Sequence, residues 1–335
     1  MPLQLSQKGL LSQMKAIQIT QTGGPEVMSI RKVPTPVPGP GEVLIRVAAS
    51  GVNFIDLYVR EGRYANPVPF IPGQEGSGTI AVVGKGVRSI KEGDRVAWCS
   101  ILGTYAEFAL APADRVVPIP ADISFEQAAA VMLQGMTAHY LSHSAYPIRK
   151  GDEILIHAGA GGVGLLLTQM AKTLGARVTA TVSTREKASL SLEAGADEVL
   201  QYTEVDFAER INAGGRRMKA VYDSVGKTTF LKSLLCLEER GTVVLYGTAG
   251  GKVPPFDLEM LASGSFHVTR PILKHYTTTR SDLVERAIAV FALVSTGELK
   301  LRIERTYSLA DAGQAHCDLN GRKTTGKLLL LPWGT

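Results

Sequence analysis

One segment, 153–175, restricts the fold more than any other part of the chain; its sequence is EILIHAGAGGVGLLLTQMAKTLG. A short apolar run leads into glycines at positions 159, 161 and 164, and a stretch with helical periodicity follows them. A strand, a glycine turn and a helix in this order are typical of a site for the pyrophosphate of a dinucleotide. The first glycine is expected to allow a sharp turn, the second a close approach of the pyrophosphate, and the third tight packing of the helix. The N-terminal end of the helix then offers N–H groups and a partial positive charge to the phosphates.

The pattern beyond residue 150 alternates between strands and helices. Strands are predicted at 153–157, 177–182, 197–200, 219–223 and 242–247. Helices are predicted between them, at 163–174, 185–194, 206–212 and 228–237. Strands that alternate with helices form a parallel sheet joined by crossover helices. This α/β part of the chain is therefore predicted to be a Rossmann domain with a doubly wound parallel sheet.

The first third of the chain has the composition of a compact β-rich unit. Strands are predicted among glycine and proline turns at 14–20, 42–49, 76–83 and 94–98, and segment 50–58 is predicted to be a loop. Ser124 and Gln127 form a capping-box pattern ahead of a predicted helix. After another helix at 281–296, the chain returns to a β-rich composition. The C-terminal segment is therefore expected to rejoin the first domain.

Length, charge and cysteine content argue against several classes of protein. A chain of 335 residues is too long for one typical core, so two domains are expected. The net charge of +5 is spread along the chain and indicates no nucleic-acid groove. Cys99, Cys236 and Cys317 lie far apart, which suggests neither a disulfide framework nor a zinc knuckle. No apolar run approaches the ~20 residues of a membrane span, and residues 1–13 do not resemble a secretory signal, so a cytoplasmic protein is expected.

The residues after the second predicted strand of the Rossmann domain indicate which nucleotide binds. NAD sites carry an acidic residue about 20 positions beyond the glycines, where it binds the ribose 2′-hydroxyl. Here segment 183–187 reads Ser-Thr-Arg-Glu-Lys, with no carboxylate at the strand tip itself. A hydroxyl and two cations suit a 2′-phosphate, because charge-assisted hydrogen bonds neutralise it. NADP(H) is therefore predicted, although Glu186 counts against it and the alternative is that the segment serves only as a helix cap and first turn.

Two positions bear on metal binding. Segment 72–87, PGQEGSGTIAVVGKGV, resembles the one that carries a zinc-binding histidine in the medium-chain alcohol dehydrogenase superfamily. Gln74 stands where that histidine is expected, and Asn53 stands where a ligand cysteine is expected. An amide is neither soft nor ionised, so it is a poor zinc ligand. No metal is therefore predicted.

Further segments resemble one group within that superfamily, the zinc-free NADPH:quinone oxidoreductases of the zeta-crystallin type. They are NFIDLYVREGRY (53–64), LQGMTAHYL (133–141), HAGAGGVG (157–164), YDSVG (222–226) and VTRP (268–271). The resemblance extends from residue 15 to residue 331. It implies a GroES-like catalytic domain from residues 14–136 and 277–335, preceded by an extension at 1–13. It also implies a Rossmann NADP-binding domain at 137–276, NADPH as the cofactor and a homodimer.

The same resemblance assigns the site residues by position. Asn53 and Tyr58 are expected beside the nicotinamide and the acceptor, where they take part in catalysis. The pyrophosphate is expected at Gly159, Ala160, Gly161, Gly162 and Val163, with Gln134 and Thr137 approaching the cofactor. The adenosine phosphate is expected at Ser183, Lys187 and Tyr202. The ribose and the nicotinamide are expected at Ser224, Tyr246, Gly247, Thr248, Val268 and Arg270.

The function implied is reduction of a quinone by NADPH without a metal. A quinone needs little acid catalysis, because its oxygens accept charge as the ring becomes aromatic, so no obligatory side-chain acid is predicted. One alternative is an NADPH-dependent reductase of α,β-unsaturated carbonyls on the same scaffold. Another is an RNA-binding or crystallin-like structural protein, although the basic residues do not cluster with aromatic ones. His139, His157 and Cys99 are predicted to be structural, and the charges of Glu61 and Arg63 are expected to alter acceptor preference if their loop borders the acceptor.

Overall fold

The computed structural model describes residues 12–334, so the extension expected at 1–13 lies almost wholly outside the described residues. The strands are β1 (Gln13–Gln18), β2 (Ser29–Pro34), β3 (Glu42–Val52), β4 (Glu75–Val83), β5 (Arg95–Cys99), β6 (Phe108–Pro112), β7 (Val117–Pro118), β8 (Glu153–His157), β9 (Arg177–Val182), β10 (Glu198–Gln201), β11 (Met218–Asp223), β12 (Leu237–Leu245), β13 (His267–Thr269), β14 (Ile303–Ser308) and β15 (Lys327–Leu331). The helices are α1 (Phe54–Arg60), α2 (Phe125–Tyr140), α3 (Gly162–Thr173), α4 (Arg185–Glu193), α5 (Phe207–Ala213), α6 (Phe230–Leu234), α7 (Arg280–Ser295) and α8 (Ala312–Asn320).

The chain divides into two compact units. The first contains residues up to 133, residues 279–295 and the segment from 301 onward. The second contains 134–278 together with 296–300. These divisions lie close to those expected at 136/137 and 276/277, but segment 296–300 belongs to the second unit and not, as expected, to the first.

A largely antiparallel seven-stranded sheet forms the frame of the first unit. Its order is β14-β15-β3-β4-β5-β7, with β6 paired to β3. β14 and β15 run parallel to each other, and β1 and β2 form a separate antiparallel hairpin. Apolar side chains of the central strands bury each other away from water, among them Val43, Ile45, Ile80 and Trp98. The β-rich domain predicted from the sequence is thereby confirmed.

The second unit contains a six-stranded parallel sheet in the order β10-β9-β8-β11-β12-β13. From β8 the chain passes outward through β9 and β10, and it then returns to the other side of β8 with β11. The direction of winding therefore reverses between β8 and β11. In sheets of this kind, ligands bind outside the carboxyl ends of the strands at that reversal. The doubly wound Rossmann fold predicted from the alternating pattern is confirmed.

The expectation of a loop at 50–58 is wrong. β3 continues to Val52, and α1 begins at Phe54. The helix starts here because Asp56, at its third position, accepts the backbone N–H of Asn53 at 2.9 Å and so satisfies a group that the helix itself leaves unpaired. The helix predicted at 228–237 is shorter than expected, because β12 already begins at Leu237.

Four of the described strands have no counterpart in the prediction, namely β2, β6, β7 and β13. The first three end at a proline, and a proline within a run argues against a strand unless it lies at an end or an edge. β13 is only three residues long. The predicted capping box is confirmed, because Ser124 Oγ accepts from the Gln127 backbone at 3.1 Å and Gln127 Oε1 accepts from the Ser124 backbone at 2.9 Å. Every helix among the described residues is too short or too polar to span a bilayer.

Candidate functional site

The glycine turn after β8 brings α3 close to the end of that strand. β8 ends at His157, and Ala158 then adopts a left-handed conformation with φ of 54°. The sharp turn therefore occurs at Ala158 and not at Gly159, which was expected to provide it. Gly164 lies so close to this turn that a Cβ atom there would stand 2.4 Å from the Ala158 carbonyl oxygen. The third glycine of the motif therefore has the packing role predicted for it.

The start of α3 has the features that a pyrophosphate site needs. Gly161 is the N-cap, so the backbone N–H groups of Gly162 and Val163 have no partner within the helix. The Gln134 side chain lies against this end, because a Cβ atom at Gly162 would stand 2.1 Å from its Oε1. Thr137, one turn further along α2, is buried. A dipole end and backbone donors fit an anionic diphosphate. The assignment of the glycine-turn residues to the diphosphate, and the approach of Gln134 and Thr137 to the cofactor, stay predictions.

The carboxyl ends of β9 and β10 bring together the residues predicted for the adenosine phosphate. Lys187 Nζ lies 3.4 Å from Ser183 Oγ, and the Thr184 hydroxyl caps α4 by accepting the Lys187 backbone N–H. Tyr202 follows β10, and its backbone N–H donates to the Val182 carbonyl at 3.1 Å. Its side chain is 42% exposed, so the ring is open to a ligand. A cation with two hydroxyl groups on adjacent strand ends is a donor set that suits a 2′-phosphate.

Asp223, at the end of β11, organises the next turn, and the sequence interpretation did not include it. Its Oδ1 accepts from the backbone of Val225 at 2.7 Å, and its Oδ2 accepts from the Thr229 hydroxyl at 2.7 Å. The Asp223 carbonyl accepts from the Tyr246 backbone at 2.8 Å, which joins the ends of β11 and β12. The signal in the sequence is the aspartate in YDSVG, since an Asp that precedes a turn commonly binds the backbone two residues on.

The predicted ribose and nicotinamide residues fall into two groups. Ser224 and Tyr246 share a side-chain hydrogen bond, and burial raises the pKa of Tyr246 well above its ordinary value despite it. Gly247 and Thr248 come two and three residues after the carboxyl end of β12. Arg270 Nη1 donates to the Leu245 carbonyl at 3.2 Å, at the same edge of the sheet. Val268 instead packs against the hydrophobic cluster of this unit, so its side chain contributes at least in part to the core.

In the first unit, Asn53 lies between two buried ionic side chains. Its Nδ2 donates to Glu75 Oε2 at 2.8 Å, and its Oδ1 accepts from Lys327 Nζ at 2.8 Å. Lys327 also forms an ion pair with Glu75, and all three side chains are buried. The resemblance predicts Asn53, whereas no sequence pattern indicates Glu75 or Lys327, which are 252 residues apart.

A chain of hydrogen bonds continues from Asn53 through Asp56. Asp56 Oδ2 accepts from the Asn53 backbone and, at 3.2 Å, from the Tyr105 hydroxyl. The Tyr105 oxygen lies 3.0 Å from His316 Nε2, and Arg60 Nη1 lies 3.2 Å from His316 Nδ1. A guanidinium can only donate, so Nδ1 of the neutral imidazole accepts and Nε2 carries the hydrogen. All the donors therefore point in one direction, from Arg60 toward Asp56.

Burial determines which groups in this series of hydrogen bonds carry a proton. Burial raises the pKa of Asp56 to about 7, and the hydrogen bond from the Asn53 backbone only partly offsets the effect. Burial and the charge of Arg60 lower the pKa of His316 to about 3, so the imidazole is neutral at physiological pH. Burial and the nearby Asp56 raise the pKa of Tyr105 well above its ordinary value. Asp56 Oδ1 has no hydrogen-bond partner among residues 12–334, which adds to the cost of charging this carboxyl group.

Tyr58 lies on α1 in a cluster of aromatic side chains. Its ring centroid is 6.3 Å from that of Phe54 and 6.0 Å from that of Tyr64. The Arg63 guanidinium lies 5.0 Å from the Tyr58 ring centroid and pairs with Glu61 at 2.8 Å. The charges noted in this segment are therefore next to Tyr58, and their effect on acceptor preference stays a prediction.

The other reactive side chains have structural surroundings. His157 is fully buried between the hydroxyl groups of Thr181 and Ser233, at 2.8 Å and 2.9 Å, and burial lowers its pKa. Burial raises the pKa of Cys99 to about 12, so a nucleophilic thiolate is not formed there. His139 stacks on His143 with ring centroids 4.2 Å apart. Across residues 12–334, no three His, Cys, Asp or Glu side chains are arranged to hold a metal ion.

Comparison with known proteins finds relatives over nearly the whole chain. The family model of the alcohol dehydrogenase GroES-like domain matches residues 39–121, and that of the zinc-binding dehydrogenases matches residues 162–290. Quinone oxidoreductase from Pseudomonas aeruginosa is 43% identical over 95% of this chain and 99% of its own. The 2-haloacrylate reductase of a Burkholderia species is 39% identical over 95% of this chain and 98% of its own.

A solved structure agrees with these matches. The structure of Escherichia coli quinone oxidoreductase in complex with NADPH is 42% identical and has a TM-score of 0.93. The match covers 95% of this chain and 100% of that one. A likeness of this degree shows that the two proteins share a fold over the matched residues.

The raised pKa of Asp56 predicts how stability depends on pH. Between about pH 4 and pH 7 the folded protein holds a proton on Asp56 that the unfolded chain has released, so this group makes stability fall as the pH rises. The slope is at most about 1.4 kcal/mol per pH unit. Asp56→Asn lacks this contribution, so we expect its unfolding free energy to improve relative to the unmodified protein from pH 5 to pH 8. Both tryptophans, Trp98 and Trp333, lie in the first unit, so denaturation followed by tryptophan fluorescence reports on it. A difference between the two proteins that is constant over this range would contradict the prediction.

The close approach at Gly164 predicts a stability defect. In Gly164→Ala the new methyl group meets the backbone oxygens of Ala158 and Gly159 at 2.4 Å and 2.8 Å, so the helix must move. We expect a loss of about 1–3 kcal/mol and a lower melting temperature in calorimetry. Gly313, on α8, is the matched control, because the nearest atom to a Cβ there would be 3.4 Å away. Equal melting temperatures for both variants would refute the packing argument.

Proposed function

Because the chain belongs to the quinone oxidoreductase family of the medium-chain dehydrogenase/reductase superfamily, we propose that it reduces a quinone with NADPH and without a metal ion. The observation that carries the choice of cofactor is the grouping of Ser183, Lys187 and Tyr202 at the carboxyl ends of β9 and β10. Their cation and hydroxyl groups complement a 2′-phosphate, and the glycine turn of the same sheet complements the diphosphate. The relative from Escherichia coli was solved in complex with NADPH, which supports this assignment.

Bound NADPH would supply the hydride, and the residues of this chain would bind, orient and protect the reactants. Lys187 would neutralise the 2′-phosphate, and the N-terminal end of α3 would hold the diphosphate. Ser224, Tyr246 and Arg270, all near the carboxyl ends of β11 and β12, would hold the ribose and nicotinamide side. Holding both reactants in a productive geometry lowers the barrier without any covalent participation of the protein.

Asn53 and Tyr58 are proposed as the groups that contact the acceptor. An amide N–H and a phenolic hydroxyl are both able to donate hydrogen bonds to a quinone oxygen as it becomes negatively charged. The hydroquinone anion is well stabilised by its aromatic ring, so solvent can complete its protonation. Metal independence is part of this proposal, because Asn53 and Gln74 provide amides where a zinc site needs ionised or soft ligands.

A reductase of α,β-unsaturated carbonyls is the second candidate. The 39% identity to a 2-haloacrylate reductase favours it, since that relative's name describes an alkene acceptor. Hydride transfer to an alkene leaves a carbanion that must be protonated on carbon, so this reaction depends more on a proton donor than quinone reduction does.

We also propose that the protein is a homodimer in the cytoplasm. In the second unit, β13 is the last strand of its sheet, and large apolar side chains are exposed nearby in sequence, including Leu258 at 70% and Ile272 at 54%. Apolar side chains that are exposed near an edge strand in sequence support a subunit interface there, because water disfavours exposed apolar area. Sedimentation at several protein concentrations measures the oligomeric state.

The reaction itself is tested by stopped-flow oxidation of NADPH against 1,2-naphthoquinone, 1,4-benzoquinone, an alkenal and 2-chloroacrylate. We expect the quinones to have the highest kcat/KM. Faster turnover of the alkenal or the chloroacrylate would place the protein in the second class. Unchanged turnover after treatment with a strong zinc chelator is expected as well, and its loss would contradict metal independence.

Cofactor choice is tested at Lys187. We expect Lys187→Ala to weaken NADPH binding by about 1–3 kcal/mol, because a charge-assisted hydrogen bond to the 2′-phosphate is lost. NADH lacks that phosphate, so its affinity should be nearly unchanged; calorimetric titration with each coenzyme measures both. Lys219→Ala is the control, because that lysine is exposed and pairs with Glu238. Equal weakening for NADPH and NADH would refute the assignment.

A further inference from the structure

The buried pair of Glu75 and Lys327 calls for an explanation beyond stability. Both side chains are almost completely buried, at 0% and 2% exposure. Removing two charges from water costs several kcal/mol for each ion, and their attraction often does no more than offset that cost. Well-packed apolar side chains of similar volume would stabilise the same place as well or better. The pair is therefore poorly explained as a device for holding the fold together.

What the pair does accomplish is to select one orientation of the Asn53 side chain. An ammonium group can only donate hydrogen bonds, and an ionised carboxylate can only accept them. Lys327 Nζ faces the amide oxygen at 2.8 Å, and Glu75 Oε2 faces the amide nitrogen at 2.8 Å. In the flipped amide, NH₂ would face the ammonium and the carbonyl would face the carboxylate. Both contacts would become repulsive, in a place from which water is excluded.

The two charges are themselves held in place. Glu75 Oε1 accepts from the backbone of Leu133 at 2.5 Å, so both oxygens of the carboxylate are engaged. Ser50 donates to the Glu75 carbonyl at 3.0 Å and fixes the backbone of the same residue. The Asn53 backbone is bound separately by Asp56 at 2.9 Å. The amide of Asn53 is therefore determined at both its backbone and its side chain.

We propose that Glu75 and Lys327 are positioning residues of the reductase, which hold the Asn53 amide from opposite sides in the one orientation that the reaction uses. The inference rests on the proposed function, because it is there that Asn53 is assigned to the acceptor. Neither charged group needs to touch the acceptor or the coenzyme. Their effect on turnover is transmitted through the amide that lies between them.

The test replaces the pair as a unit, because removing one charge alone leaves the other buried without compensation. Glu75→Gln/Lys327→Met keeps the volumes similar and leaves Asn53 beside a carboxamide that both donates and accepts. We expect the double variant to fold and to bind NADPH with unchanged affinity, while kcat falls roughly 10- to 100-fold. Glu75→Gln alone, in which Lys327 still faces the amide oxygen, should lose less. Glu107→Gln, a buried carboxyl of the same unit that accepts from the Lys15 backbone at 2.7 Å, is the control and should keep full turnover.

Several outcomes would overturn the proposal. One is a folded double variant whose kcat stays within about twofold of the unmodified enzyme. If this double variant does not fold, Glu75→Gln/Lys327→Leu, which removes the same two charges, decides by the same criterion. A crystal structure of whichever double variant folds, at a resolution that distinguishes amide orientations, gives a readout without turnover. We expect a mixed or flipped Asn53 amide, and a single unmodified orientation would contradict the inference. If the unmodified protein reduces no acceptor, the proposed function fails, while the crystal structures still decide whether the pair orients Asn53.

Discussion

Parallel strands all point the same way, and this constraint collects the polar residues of the second unit at one edge of the sheet. β8, β9, β10, β11 and β12 all end there, so residues from different parts of the chain are brought to neighbouring positions. Ser183 follows β9, Tyr202 follows β10 and Ser224 follows β11. A change of one residue in the register of any strand would move its terminal side chain away from the others. The packed sheet is therefore the first requirement for the site, because the contacts within the site form only when the strands are in register.

A different constraint governs the first unit, where charge is buried and must be compensated. Glu75, Lys327, Asp56 and Arg60 are all buried in a single hydrogen-bonded network that includes Asn53, Tyr105 and His316. Such a network is costly unless nearly every member finds a partner, so its geometry has little freedom. This arrangement supports both proposed acceptor residues, since Asn53 caps the N-terminal end of α1 and Tyr58 lies within the same helix.

The sequence predicted the periodic parts of the fold well. The strands at 153–157 and 177–182 have the bounds expected, because apolar runs between a glycine turn and a helical pattern allow few other interpretations. α1 was not predicted, because the capping pair that starts it, Asn53 and Asp56, lies among residues that are also common in strands. The left-handed residue of the glycine turn was missed as well, since alanine rarely adopts that conformation and Ala158 adjoins a glycine that does so readily.

The candidate site likewise contains some residues that the sequence predicts and others that it does not. Residues that directly follow a strand, such as Ser183 after β9 and Tyr202 after β10, are predictable because local order places them. Glu75 and Lys327 are not, because their contact exists only once β3, β4 and β15 have assembled. Asp223 precedes a turn, and its aspartate is a signal that the sequence does contain. Asp56 is harder to predict, because it also accepts from the Tyr105 hydroxyl, 49 residues away in sequence, and that contact forms only in the folded unit.

The buried ammonium of Lys327 also bears on metal binding at Asn53. The amide oxygen that would have to coordinate a cation already accepts from Lys327 Nζ at 2.8 Å. Two unit positive charges 4 Å apart repel each other by about 4 kcal/mol at an effective dielectric constant near 20, and a divalent ion would double that figure. Glu75, the carboxylate that accepts from the Asn53 amide nitrogen, is paired with the same lysine. A metal at this position would have to displace a bonded cation from both of its partners, so the residues around Asn53 disfavour a metal electrostatically as well as through the identity of the side chain.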